Sequence, residues 1–361
     1  MVDPTVWLGD PVAGIEYVEY VTTEDLNNVE QSDLDGFHQA FDAFVMAPNA
    51  EAADRGGLRD ETRWDQTFYR YTVSSTKLHR NKTFWRRLES IKDEYAYVTS
   101  QLRAAGLPTV FAAIPYQESQ YRPNVTSPVC AKGYWQFMPE TGHRYGLEIA
   151  GCKLRGNSDW APTRLAPPPG IFRNAEYVNY SEANNKASCA IKSCSVDERI
   201  DLQSSTRAAV LMLKESWEHE RSQESGAGVQ MTILAHNMGF DDNKYLESGR
   251  KYGVLAAYNQ YLRKIGRDFA PDFYGANITC DPSAQDPHKP NTTSTRCGGY
   301  LPNQTQHYGY NIVAQHLLAV CYYATNYGSE EVFKDWTQYT FGDGYCTQLS
   351  VPESGSFREE G

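Results

Sequence analysis

The sequence predicts a mainly helical fold, interrupted by disulfide-stapled loop insertions and preceded by an N-terminal extension. Three observations lead there. Apolar residues recur at helical spacing in several segments, strand-like alternation is scarce, and eight cysteines sit largely among Gly, Ser, Asn and Pro.

Residues 1–81 mix acidic clusters with aromatic positions and contain the polar break "APNAEAADRGGLRDE", so they read as an extension packing on a core. From Lys82 to Ala105, Phe84, Leu88, Ile91, Tyr95, Val98 and Leu102 fall on one helical face, and Gly106 is placed to stop that helix. "LPTVFAAIPYQES" follows, with Pro108 near a helix start and Glu118 near its end. Residues 151–196 read as a stapled irregular insertion. In "STRAAVLMLKESWEHE", Ser204 or Ser205 suits a cap, with Ala208, Leu211, Met212 and Glu215 along successive turns. "GVQMTILAHNMG" predicts a helix ended by Gly239. A second insertion spans 271–302, and "YNIVAQHLLAVCYYATNY" predicts the last helix. The core domain thus runs over 82–345, and the polar tail 346–361 reads as mobile past Gln348.

Composition narrows the function. Hydrophobic residues at 40% and charged residues at 22% fit a soluble globular protein. A net charge of -11 disfavours nucleic acid and anionic membrane as partners, because both need a positive field. Tyr 25, Trp 7 and Phe 14 supply flat faces that suit sugar rings as well as an ordinary core. No apolar run reaches the roughly 20 residues that span a bilayer, and Met1-Val-Asp-Pro opens no leader segment. That leaves a cytosolic protein or one whose export signal has been removed.

The even cysteine count in loops favours disulfides and an oxidising compartment, so an exported protein, periplasmic or secreted, is expected. Neighbouring cysteines are the expected partners: Cys130 with Cys152, Cys189 with Cys194, Cys280 with Cys297, and Cys321 with Cys346. Neither a Cys-x-x-Cys nor a His-x-x-x-His spacing occurs, so no metal and no cofactor is expected.

Glu118 is the residue that points to chemistry. A carboxyl delivered by an apolar helix is expected to hold its proton toward neutral pH, as a general acid requires. Sugar cleavage is the reaction class in which such an acid protonates a leaving oxygen. Glu140, following Pro139, reads as a helix-start charge instead.

The residues around Glu118 carry a resemblance. "ESQY", Ser127 and "GYWQFMPETGHRYGL" resemble the signature of bacterial peptidoglycan lytic transglycosylases with a soluble-lytic-transglycosylase (SLT), lysozyme-like domain, most of all their membrane-bound D type. "DERIDLQSSTRAAVLMLKESW", "TILAHNMG" and "LPNQTQHYGYNIVAQHLLA" extend it, over about Lys82 to Tyr323. The resemblance implies a helical domain of the goose-type lysozyme superfamily. It further implies a monomer acting on peptidoglycan glycan strands, with Glu118 as the single acid/base. Glu118 would protonate the oxygen between N-acetylmuramic acid and N-acetylglucosamine, then deprotonate the muramic C6 hydroxyl to give a 1,6-anhydro end. Ser127, Gln136, Met138, Asn237 and Tyr308 match positions that contact substrate, while Trp135 and Phe137 read as core. His236 departs from the usual tyrosine. Against the bacterial resemblance, six Asn-x-Ser/Thr sequons (Asn81, Asn124, Asn179, Asn277, Asn291, Asn303) read as chance.

Two other functions fit the same residues: a hydrolytic muramidase, in which water replaces the C6 hydroxyl, and a noncatalytic glycan-binding module. The acidic charge also suits glycans whose acetamido groups have been deacetylated to ammonium.

Overall fold

The computed structural model describes residues 82–127, 130–154, 159–160, 178–181, 186–219, 228–239, 254, 303–339, 346 and 351–356. The extension 1–81, the insertion 271–302 and the expected pair Cys280 with Cys297 lie outside them. The described structure is mainly helical.

Where periodicity predicts one helix over 82–105, the chain forms two, α1 (Lys82–Ser90) and α2 (Lys92–Ala104). Ile91 between them keeps its amide on the carbonyls of both Arg87 (3.1 Å) and Leu88 (3.2 Å). The Ser90 hydroxyl donates to the same Arg87 carbonyl at 2.9 Å, a back-bond of the kind that bends helices. All six apolar positions of the expected face are buried. Gly106 ends α2 at φ 71°, a left-handed conformation that glycine adopts without penalty.

Two compact units divide the chain. In the unit containing 93–105 and 114–212, a helix α3 (Ile114–Ser119) and a helix α4 (Pro139–Arg144) flank a folded loop. Glu140 occupies the first turn of α4, as its position after Pro139 predicts. The first insertion and its two flanks hold short strands: β1 (Ile149–Ala150), β2 (Cys152–Leu154), β3 (Asp159–Trp160), β4 (Val178–Ser181), β5 (Lys186–Cys189), β6 (Ile191–Ser193) and β7 (Val196–Asp197). They pair antiparallel as β1 with β7, as β3-β2-β6, and as β4 with β5.

Disulfides Cys130–Cys189 and Cys152–Cys194 staple this insertion, correcting the expected pairs Cys130 with Cys152 and Cys189 with Cys194. The strands explain the exchange. β2 runs against β6, which brings Cys152 toward Cys194 just past the β6 end and leaves Cys189, at the end of β5, for Cys130.

Helix α5 (Leu202–Trp217) begins earlier than the serines suggest. Its first turn is held by Asp201, whose carboxylate accepts the Ser204 amide at 2.7 Å. Ala208, Ala209 and Leu213 are buried, whereas Leu211 is 52% exposed, so the expected face is turned.

The other unit is built around α7 (Asn303–Tyr327), buried almost continuously from Ile312 to Ala324. A helix apolar on all sides needs cover all round. The 3₁₀ segments Thr109–Ala113 and Lys334–Tyr339 and helix α6 (Gly228–Met238) supply part of it. Gly239 ends α6 at φ 84°, as expected. Cys321–Cys346 is bonded as expected.

The tail, expected to be mobile, is anchored over 351–356. Asn326 brackets it by donating to the Pro352 carbonyl (3.1 Å) and accepting the Ser354 amide (2.7 Å), and Glu89 accepts the Gly355 amide at 3.0 Å. Among the described residues no helix is long and apolar enough to cross a membrane.

Candidate active site

Glu118 is the penultimate residue of α3, half-buried, with Ile114, Pro115 and Tyr116 buried before it. Two consecutive left-handed residues, Gln120 (φ 53°) and Tyr121 (φ 57°), stop the helix immediately afterwards. Such a conformation is unfavourable for a bulky side chain. Burial offsets it here: the Tyr121 ring is 2% exposed and packs between Tyr95 and Tyr134, with centroids at 5.8 and 6.4 Å.

Ser119, next to Glu118, ties the helix end to the following loop. Its buried hydroxyl lies 2.9 Å from the Tyr134 carbonyl and 3.1 Å from that of Pro115, and it accepts the Arg122 amide at 3.3 Å.

The loop from Val125 to Met138 folds back on itself twice. Ser127 closes the first reversal: its amide donates to the Ala131 carbonyl (2.8 Å) and its hydroxyl accepts the Ala131 amide (3.0 Å). Gln136 closes the second from a left-handed backbone, φ 48°, by donating its amide to the carbonyls of Val125 (3.0 Å) and Gly133 (2.9 Å). Both residues therefore shape the loop that carries them. Met138, half-buried, stands at the N-cap of α4. Trp135 and Phe137 are buried at 0% and 3%, as expected of core, and the Trp135 indole donates to the Thr206 hydroxyl at 3.2 Å.

His236 and Tyr308 are brought together, from the last turn of α6 and the second turn of α7. The phenol oxygen is 3.0 Å from His236 Nδ1, and the rings lie nearly parallel with centroids 6.5 Å apart. Tyr308 is buried, while His236 and its neighbour Asn237 are half-buried. Glu118, Ser127, Gln136 and Met138 belong to one unit, and His236, Asn237 and Tyr308 to the other.

Residues 99–160 match the Transglycosylase SLT domain. This SLT segment contains Glu118, Ser127, Gln136 and Met138, and it ends ahead of His236, Asn237 and Tyr308. The chain is also similar to the membrane-bound lytic murein transglycosylase D of Escherichia coli, in strain K12 and in an O6:H1 strain. It is 33% identical to each over 73 residues, 20% of this chain and 16% of the relative. The chain therefore spans only a small part of the relatives it matches.

Four residues of the site region were missed by residue-type reasoning: Ser119, Lys132, Asp197 and Arg199. Ser119 lies in "ESQY", Asp197 and Arg199 lie in "DERIDL" and Lys132 just precedes "GYWQF", yet each also bonds a group well removed in sequence, as Ser119 does Tyr134, Lys132 does Asp197 and Arg199 does Cys130. Among the described residues no group of His, Cys, Asp and Glu side chains is arranged to hold a metal ion.

Proposed function

We propose that this chain cleaves the glycan strands of peptidoglycan between N-acetylmuramic acid and N-acetylglucosamine, with Glu118 as the single acid/base. The observation that carries the reading is the place of Glu118: inside the SLT segment, half-buried at the end of a buried helix. A carboxylic acid so held transfers its proton to the glycosidic oxygen as the bond from C1 to that oxygen breaks, and the ring passes through an oxocarbenium-like state. The resulting carboxylate takes the proton of the muramic C6 hydroxyl, whose oxygen bonds C1. The anhydro ring closes, no water is consumed, and Glu118 returns to its acid form.

The remaining residues are assigned to substrate. Gln136 offers its side-chain oxygen to sugar hydroxyls, its amide hydrogens being engaged on backbone carbonyls. Ser127 keeps a hydroxyl hydrogen to donate to an acetamido oxygen. Met138 provides an apolar shelf. Tyr308 and His236 act as a joined phenol and imidazole, with Asn237 beside them. The described disulfides suit a place of action outside the cytosol, in the periplasm or secreted.

The test is mass analysis of purified peptidoglycan after digestion. Wild type is expected to release ends one water lighter than reducing ends, and Glu118→Gln to lower the rate by about 10²–10⁴-fold. An undiminished rate in Glu118→Gln overturns the reading, and reducing ends of full mass assign hydrolysis instead.

A further inference from the structure

Beyond the residues assigned to substrate, a buried charge cluster grips the loop from Val125 to Met138. Arg199 is 1% exposed, and one of its terminal nitrogens, Nη1, donates to the carbonyls of both Cys130 (2.7 Å) and Phe137 (3.2 Å), one in each of the loop's two reversals. The rest of its guanidinium forks onto Asp197, with Nε to Oδ1 at 2.7 Å and Nη2 to Oδ2 at 2.9 Å. Asp197, with a side chain 5% exposed, also takes the ammonium of Lys132 from the loop itself at 3.0 Å. The backbone joins in: the Arg199 carbonyl packs so closely on Gly133 that a Cβ there would overlap it. Asp197 is fixed in turn by the pairing of β7 with β1.

We propose that Asp197 and Arg199 are positioning residues, which act on substrate through the loop bearing Ser127, Gln136 and Met138. Planar, bidentate pairing gives a guanidinium a defined orientation that an ammonium lacks, so a rigid fork holding two carbonyls sets the distance between the two reversals. Without it the loop populates other shapes, and binding weakens by the fraction still competent. A loop competent one-tenth of the time binds about tenfold more weakly. Glu118 stands on α3, outside the loop, where the Ser119 hydroxyl also bonds the Pro115 carbonyl of the same helix, so the loss falls on KM rather than kcat. This inference rests on the proposed function for its substrate, and its structural half is testable without substrate.

Three variants separate the outcomes. Arg199→Met removes the fork, Arg199→Lys keeps the charge without it, and Lys132→Met removes only the partly exposed member, so it tests the cluster even where the first two fail to fold. Amide hydrogen exchange at Ala131, Gly133 and Gln136 is expected to rise at least about tenfold in Arg199→Met relative to amides inside α5, less in Arg199→Lys, and a few-fold in Lys132→Met. On soluble glycan chains KM is expected to rise in the same order with kcat within a few-fold. Exchange that rises equally in loop and helix, or a lowered melting temperature with KM unchanged, overturns the proposal and leaves a merely structural cluster. If wild type cleaves no glycan, the proposed function fails, and the exchange pattern alone decides the clamp.

Discussion

Gly133 meets two demands at once. Its φ of 84° lies where a side chain strains the backbone, and a Cβ built on it would stand 1.8 Å from the Arg199 carbonyl oxygen. The obstacle is backbone, held by the Asp197–Arg199 pair, so it does not swing aside as a flexible side chain would. Gly133→Ala is therefore expected to destabilise the protein by about 2 kcal/mol or more, the range for a strained site with a steric clash. A denaturant midpoint lowered with an unchanged slope checks it, and an unaltered midpoint refutes it. At this scale the sequence singled out candidate residues but not their partners. Ser127 and Gln136 are recognisable in "TSPVCAKGYWQF", yet their bonds to Ala131, Val125 and Gly133 depend on a loop folded twice, with left-handed residues at Cys130, Gly133 and Gln136. Only the glycine signals such a conformation by its type; Cys and Gln do not.

Helices were the legible elements, because one apolar stripe every three or four residues reports a buried face regardless of what covers it. Phe84 to Leu102 shows this, and so does α7. The insertion was not legible as strand: its pairs are two to four residues long, stabilised by disulfides and by the ends of neighbouring strands rather than by an alternating apolar face. The Leu211 reading failed because a helical stripe fixes a period, whereas packing fixes the phase, and here it buries Ser205, Thr206, Ala208 and Ala209 while leaving Leu211 outward. At the end of the insertion Asp197 joins β7 to the loop, and its charge state governs that join. Burial alone pushes this carboxyl up, but hydrogen bonds and charge from Arg199, then Lys132, outweigh it and hold the pKa below the usual value. A depressed folded pKa means that the native state binds its proton more weakly than the unfolded chain. The contribution is then complete above the unfolded value of about 3.9 and is lost as pH falls through the lower folded value. The stability gap between wild type and Asp197→Asn is expected to stay constant from neutral pH down to about pH 5 and to narrow below about pH 4. A gap that is flat through that acid range contradicts the assignment.

For the whole molecule, cross-links weigh as heavily as packing. The bonds Cys130–Cys189, Cys152–Cys194 and Cys321–Cys346 span 59, 42 and 25 residues. Chain-entropy reasoning gives about 4 kcal/mol for each of the two longer loops and about 3.5 kcal/mol for the shorter, before any native strain. Because these values differ so little, loop length does not rank the bonds; their distribution does. Of the bonds among the described residues, two lie in the unit that carries Glu118, and one lies in the unit built on α7. The α7 unit has as its core a long helix buried from Ile312 to Ala324, with Phe333 stacked on its Tyr323 and Trp336 packed against Phe333 and its His316. The other unit has short helices, short strands and a loop held by a buried ion pair. A net stability of about 5–15 kcal/mol is typical of a domain, so losing two such bonds removes much of it. Reduction under otherwise native conditions is thus expected to unfold the Glu118 unit first. Amides of the loop around Gly133 and of α4 should lose protection while those of α7 between Ile312 and Ala324 keep theirs. Replacing Cys321 and Cys346 together by Ser should lower stability less than replacing Cys152 and Cys194 together. Simultaneous loss of protection in both units on reduction, or the opposite order in the two double variants, would show that helical packing rather than cross-linking sets the order of unfolding.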